Sequence, residues 1–232
     1  MTQRVLVVDD DPTVSDVVCR YLERAGYEVS HAADGRSALT LYSRERPALV
    51  VLDLMLPGID GLEVCRRLQE HGDGVPVIML TALGDEADRV LGLQLGADDY
   101  ITKPFSPREL VLRVQSVLRR SSGPAPAGTE VLVDGDLVVD ASRRTARLRG
   151  EELALTVREF DLLVYLMRHP ATAFRRSQLL AAVWGWDFGD QSTVTVHVRR
   201  LREKVEVDPA RPLRIVTVWG VGYRYETGSA GA

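Results

Sequence analysis

Asp53 closes an apolar run, Ala48-Leu-Val-Val-Leu-Asp53-Leu-Met-Leu-Pro57, and nothing beside it in sequence neutralises its charge. An ionised carboxylate withdrawn from water is costly unless it is paired or binds a metal. Its candidate partners stand far away: Asp9-Asp10-Asp11 after the run 5–8, and Lys103 after Asp99-Tyr-Ile-Thr. Three apolar runs that each end in charge predict one site where their carboxyl ends meet. Carboxylates facing an ammonium form an oxygen-donor pocket suited to Mg²⁺, which keeps several waters and completes its shell with phosphate oxygens. In such a pocket Asp53 is a nucleophile toward a phosphoryl group. Mg²⁺ and Lys103 offset charge on the transferring oxygens, and Thr81 offers a hydroxyl donor.

The elements that must position these residues alternate along the first half. Strand-like runs lie at 5–8, 27–31, 49–54, 77–81 and 99–102, with helical patterns at 12–25, 35–46, 61–71, 85–95 and 106–120. Asp11-Pro12 supplies an N-cap and a proline at the first helical position. Ser106-Pro107-Arg-Glu109 has capping-box spacing. Alternating strands and helices predict an α/β fold, a doubly wound five-stranded parallel sheet covered on both faces. Ligands in such sheets sit beyond the strand carboxyl ends, where the strand order switches. Asp9, Asp10, Asp53, Thr81 and Lys103 all fall there.

A small, uncharged, proline-bearing stretch at 121–128 reads as a linker, dividing domain 1–120 from domain 129–226 and a tail at 227–232. The second half changes style. Short strands are expected at 137–140 and 145–148, helices at 157–168, 177–184 and 193–205, and a terminal hairpin at 213–225. That order describes a helix-turn-helix with a wing. In the third helix Val194, Val198, Leu201 and Val205 recur at helical spacing and should face the core. The opposite face then carries Ser192, Val196, Arg199, Arg200 and Glu203, with Thr193, Thr195 and Arg202 at its edges. Such a face suits the major groove: Arg200 toward guanine, Val196 toward a thymine methyl, Arg199 or Arg202 on phosphate.

The 232 residues suffice for two cores, and 45% hydrophobic with 27% charged residues is an ordinary globular balance. No apolar run is long enough to cross a membrane, and no signal-peptide core is present. Cys19 and Cys65 lack metal-ligand spacing and are expected inside helices of a cytoplasmic protein. The net charge of −4 hides an asymmetry, with −5 over residues 1–120 and +1 over 121–232. Within 191–226, 7 basic residues face 4 acidic ones, which permits a polyanion ligand despite a pI of about 5.6.

Four pieces in order, Val-Val-Asp9-Asp10-Asp11, Leu-Asp53-Leu-Met-Leu-Pro57-Gly-Ile-Asp-Gly61, Met-Leu-Thr81-Ala82 and Gly-Ala-Asp-Asp-Tyr100-Ile-Thr-Lys103-Pro104-Phe105, resemble the flavodoxin-like receiver domain of a two-component response regulator. The resemblance implies that Asp53 takes phosphate from a sensor histidine kinase. It implies Mg²⁺ on Asp10, Asp53 and the Met55 carbonyl with Asp9 acting through water, and Thr81 with Tyr100 as a switch pair. Met55 and Leu83, two residues beyond Asp53 and Thr81, are apolar and unable to orient an attacking water, so slow self-dephosphorylation is expected. The Lys103–Pro104 bond is a candidate cis peptide.

Residues 129–226 resemble the winged helix-turn-helix output domain of the OmpR/PhoB subfamily. The resemblance is carried by Leu155-Thr156-Val-Arg-Glu159-Phe-Asp-Leu-Leu163, Ser177-Gln-Leu-Leu180, Thr193-Val-Thr-Val-His197-Val-Arg-Arg200-Leu-Arg202 and Val216-Thr-Val-Trp-Gly220-Val-Gly-Tyr223-Arg. It implies promoter DNA contacts at Thr193, Thr195, Val196, His197, Arg199, Arg200, Arg202, Thr217, Trp219, Gly222 and Tyr223. Some relatives carry a minor-groove arginine where Trp219 stands. By the same analogy, Trp184-Gly-Trp186-Asp-Phe188 either faces RNA polymerase or supplies its aromatics to the core. Receivers of this subfamily pair on phosphorylation, and the charges for a homodimer are present: Arg89 with Glu109, Asp99 with Arg113, Asp98 with Arg119 or Arg120. The expected molecule is a regulator binding direct-repeat DNA rather than an enzyme. A protein-binding winged helix and a phosphoaspartate phosphatase are the alternatives.

Overall fold

The computed structural model describes residues 2–70, 75–82, 96–121, 130–185 and 191–228, with the backbone alone at 119–121. Contacts divide the chain into two compact units, Met1–Ser121 and Ser122–Ala232. The expected helix at 85–95 lies outside the described residues, as does 122–128 of the linker expected at 121–128; Ser121 instead ends the helix Pro107–Ser121.

In the first unit β1 (Arg4–Val8), α1 (Pro12–Arg24), β2 (Glu28–Ala32), α2 (Gly35–Glu45), β3 (Leu49–Asp53), α3 (Gly61–Glu70), β4 (Val77–Ala82), β5 (Asp99–Lys103) and α4 (Pro107–Ser121) follow in order. The strands form one parallel sheet in the order β2-β1-β3-β4-β5. β3 is buried along its whole length, as a central strand between two helical layers must be. Val5, Val7, Leu49, Val51, Ile78 and Leu80 pack one face against Val18 and Leu22 of α1 and Val114 and Val117 of α4. Asp11 caps α1 through Thr13 N–H (2.8 Å) and Val14 N–H (3.4 Å). The second strand starts one residue later than its sequence reading. Tyr27 still belongs to the turn that ends α1, its N–H on Leu22 O at 3.2 Å beyond Gly26 at φ +92°.

The second unit opens with an antiparallel sheet, β6 (Val131–Asp134), β7 (Leu137–Asp140), β8 (Thr145–Leu148) and β9 (Glu151–Glu152). α5 (Val157–Met167), β10 (Phe174–Arg175), α6 (Arg176–Leu179), a π-helical turn Leu180–Trp184, α7 (Ser192–Val205) and the ribbon β11 (Ile215–Val218) with β12 (Gly222–Tyr225) complete it. β6, β9 and β10 are additions to the sequence reading. β9 and β10 are two residues each, too short to carry a periodicity. The helix expected at 177–184 is α6 running into the π turn, closed by Gly185 at φ +88°. Gly228, beyond the 129–226 expected for this domain, donates its N–H to Asp134 Oδ1 at 2.9 Å. Leu162, Leu163, Leu166, Trp184, Val194, Val198 and Leu201 form the core. Of the two readings open for the 184–188 loop, Trp184 takes the core one; Trp186 and Phe188 lie outside the described residues.

Candidate functional site

The order β2-β1-β3 reverses direction at β1, and the crevice beyond the carboxyl ends of β1 and β3 is where a ligand is expected. The chain leaves β1 into Asp9 and Asp10 and ends β3 on Asp53. The three carboxylates each place an oxygen within 4.8 Å of the others. Asp9 and Asp53 are buried, whereas Asp10 is exposed at the mouth. Lys103, at the end of β5, puts Nζ 2.9 Å from Asp9 Oδ2 and 2.9 Å from Asp53 Oδ2. Burial alone would lower the Lys103 pKa; bonds to Asp53 and Asp9 overcome it and hold the group above its ordinary value. Burial raises the Asp9 carboxyl, more than the Lys103 bond lowers it. The Asp11 N–H (2.9 Å to Oδ1) holds the Asp9 side chain, and His31 donates to the Asp9 carbonyl at 3.0 Å.

Gly61 brings α3 against the end of β3. A Cβ there would lie 2.2 Å from the Asp53 carbonyl oxygen and 2.7 Å from Leu54 Cα. The Gly61 N–H bonds the Leu54 carbonyl at 3.1 Å, and Asp60 caps the helix through Glu63 N–H at 2.7 Å. Met55 is 69% exposed beside this turn; Leu83 lies outside the described residues. Thr81 is buried opposite Thr102 in the β4–β5 ladder, and Tyr100, two residues earlier on β5, is buried as well. The Lys103–Pro104 peptide is cis.

Of the charges expected to pair two chains, Asp99, Glu109 and Arg113 meet one another within a single chain. Arg113 of α4 is buried, with Asp99 at 2.7 Å and Glu109 at 2.7 Å. Asp98 is fully buried and accepts the Val77 N–H at 3.0 Å, so it does not stand on an exposed pairing face. Arg89 and the side chains of Arg119 and Arg120 lie outside the described residues.

The third helix of the second unit, α7, differs from its sequence reading. Thr193, Val196, His197 and Arg200 are buried, turned toward the interior of the unit. Arg200 lies 2.8 Å from Glu159 on α5. His197 donates from Nδ1 to Thr193 O (2.8 Å) and meets the Trp184 ring edge-on at 5.0 Å. Burial, then the Arg200 charge, pushes its pKa down to about 4. The helix had valines on both sides, and burial of a charged residue depends on a counter-charge from another element. Helical spacing alone does not reveal that partner. Thr195 and Arg199 remain exposed and Arg202 half-buried. Gly222 is a packing position: a Cβ there would sit 2.1 Å from the Phe174 carbonyl oxygen, across the β10–β12 pair.

Arg176 was missed by the sequence reading. Its guanidinium reaches Thr195 Oγ1 (3.1 Å) and the Tyr223 hydroxyl (3.3 Å). The buried Tyr223 ring takes both the Arg176 (5.0 Å) and the Arg202 (5.6 Å) guanidinium against it. Arg202 in turn holds Ile215 O and Thr217 Oγ1, each at 2.8 Å. These contacts lock α6, α7 and the wing together. Trp219 stands 91% exposed at the wing tip.

A parallel sheet with this acidic crevice, followed by a winged helix, defines the class. The profile of the response regulator receiver domain matches residues 5–115, and that of the C-terminal domain of transcriptional regulatory proteins matches 150–225. The chain belongs to the OmpR/PhoB family of response regulators, phosphorylation-dependent DNA-binding transcription regulators. It is 46% identical over 225 residues to the sensory transduction protein RegX3 of Mycolicibacterium smegmatis, covering 96% of this chain and 98% of that protein. It is 45% identical over 234 residues to the alkaline phosphatase synthesis transcriptional regulatory protein PhoP of Bacillus subtilis, covering 97% and 98%. Among solved structures it is similar to the response regulator DrrB, an OmpR/PhoB homolog of Thermotoga maritima, at 35% identity and a TM-score of 0.53, covering 97% of this chain and all of that one. No helix among the described residues is long and apolar enough to cross a membrane.

Proposed function

We propose that Asp53 is the phosphoacceptor and that a sensor histidine kinase is the donor. The observation that carries this is the Lys103 ammonium set 2.9 Å from both Asp9 and Asp53, in a crevice where three carboxylates converge. An Asp53 carboxylate oxygen forms the new bond to phosphorus as the phosphohistidine N–P bond breaks and the imidazole leaves. Lys103 stays beside the modified side chain and offsets phosphoryl charge. The hard, all-oxygen donor set fits Mg²⁺, which Asp10, Asp53 and the Met55 carbonyl would hold, with Asp9 acting through water. Bound there, Mg²⁺ supplies charge neutralisation for the incoming phosphoryl oxygens. Thr81 donates its hydroxyl to the phosphoryl group, and Tyr100 follows on the adjacent strand. Incubation with acetyl phosphate and Mg²⁺ is expected to give a hydroxylamine-labile phosphate adduct, absent in Asp53→Asn and absent with EDTA. An adduct of unchanged yield in Asp53→Asn defeats the assignment.

The DNA face we propose comprises Thr195, Arg199, Arg202, Arg176, Thr217 and Trp219, with Tyr223 as the ring on which the arginines pack. Receiver pairing on phosphorylation would set two winged helices on a direct repeat, raising affinity by avidity. Because Arg113 is already paired within the chain, dimerisation must exchange these ion pairs rather than add them. The net gain is then small, which suits control by a single phosphate. The two domains, 1–120 and 129–226, act in a cytoplasmic regulator that is not an enzyme, with RNA polymerase as a further partner.

A further inference from the structure

Two stripes run along α7. Ser192, Thr195, Arg199 and Glu203 recur at helical spacing and lie exposed or half-exposed. Thr193, Val196, His197, Arg200 and Lys204 recur on another face, and all but Lys204 are buried. Arg200 is the one guanidinium on this second stripe. Its ion pair with Glu159 Oε1 at 2.8 Å leaves its side chain 9% exposed.

Glu159 itself is fully buried and fixed from three directions. Its Oε2 accepts the Thr156 N–H at 2.8 Å, closing a capping box at the start of α5, and the Lys204 ammonium at 2.7 Å. Lys204 also donates to Ala154 O at 2.7 Å. A carboxylate buried this deeply requires its cations, and each cation is thereby held to α5. Burial alone would raise the Glu159 carboxyl, but the Arg200 and Lys204 charges hold it below its ordinary value.

We propose that Glu159 is a positioning residue for DNA reading: by holding Arg200 against α5, it withholds that guanidinium from the bases and leaves recognition to Thr195 and Arg199. This rests on the DNA-binding reading above. An arginine free in the major groove brings a bidentate guanine contact and one more counter-charge to the phosphates. Clamped to Glu159, it brings neither. The sequence pair Arg199-Arg200 thus divides its labour, one residue outward and one inward.

The test uses the full-length chain, phosphorylated with acetyl phosphate, and a random-sequence duplex pool as probe. Selection and salt titration are run on wild type, Arg200→Gln and Glu159→Gln. Wild type and Arg200→Gln are expected to return the same base preference and the same slope of log affinity against log salt. Glu159→Gln, whose amide oxygen still accepts the Thr156 N–H, should release Arg200. Its slope should steepen by about 0.9, the increment for one phosphate, and a new guanine preference should appear at one position. A merely structural role for Glu159 would weaken binding without either change, and that result overturns the proposal. So does loss of an existing guanine preference, with a tenfold or greater fall in affinity, in Arg200→Gln. Near-UV circular dichroism reports whether Glu159→Gln is folded; if it is not, the Arg200→Gln result decides. A wild type that selects no sequence defeats the DNA-binding reading, and this inference with it.

Discussion

Individual charges in both units are meaningful only with their partners. Lys103 neutralises two buried carboxylates that otherwise repel each other across the crevice. Replacing it by methionine should lower stability by on the order of 2 kcal/mol, less than a fully buried pair because the lysine is 27% exposed. Added Mg²⁺ should restore more stability to Lys103→Met than to wild type, since the metal then meets an uncompensated site. Urea melts with and without Mg²⁺ check this. His197 is a second case. Its folded pKa of about 4 lies below the unfolded value of 6.5, so unfolded chains take up a proton that the fold excludes. Its contribution is fully present above pH 6.5 and is lost as pH falls toward 4, amounting to roughly 3 kcal/mol in the second unit. Proton NMR should show the His197 ring unchanged between pH 8 and 5.5. A midpoint near 6.5 would contradict its burial.

Single elements carry the next set of consequences. The turn from β3 into α3 depends on the missing side chain of Gly61, where the helix backbone presses on the strand end. Gly61→Ala should cost about 1–3 kcal/mol by overpacking, and it should slow phosphorylation because the displaced backbone belongs to Asp53. Urea melts and the rate of acetyl phosphate labelling measure the two effects. The wing behaves oppositely. Trp219 is so exposed that Trp219→Ala should leave stability within about 0.5 kcal/mol. DNA affinity should nevertheless fall severalfold if the wing tip rests on the duplex, as fluorescence anisotropy would report. Equal affinity in the variant would remove Trp219 from the interface. Most elements were legible in the sequence because apolar runs of strand length alternate with amphipathic helices. Their boundaries moved by a residue or so where a helix turn held the chain, as at Tyr27. β9 and β10 were not legible: they exist because a neighbour supplies the hydrogen bonds, not because two residues prefer extension.

At the scale of the whole chain, the question is how long a phosphate persists and what it assembles. The exposed side chain beside the proposed phosphoacceptor, Met55, offers no hydrogen bond to an attacking water. The phosphorylated protein should therefore lose its label slowly, and Met55→Asn should shorten its lifetime severalfold. Chasing the labelled protein over time measures this; equal lifetimes would exclude position 55 as the control. A long-lived phosphate suits the proposed pairing of two chains, because assembly takes time and the ion pairs of Arg113 would first be exchanged.

The acidic crevice was legible in the sequence because each contributing residue ends an apolar run. Parallel strands bring their carboxyl ends to one edge whatever the loops do. The exposed side of α7 was not. Helical spacing ranks the faces by hydrophobicity, and Arg199 and Arg200 look alike on that scale. Only packing against α5, where Glu159 waits buried and unneutralised by its own helix, separates the arginine that goes inside from the one that stays in water. The guanidinium of Arg176 likewise joins Thr195 and Tyr223 through contacts made only when three elements meet. Local sequence determined where charge ends a strand; the fold decided which charges face each other.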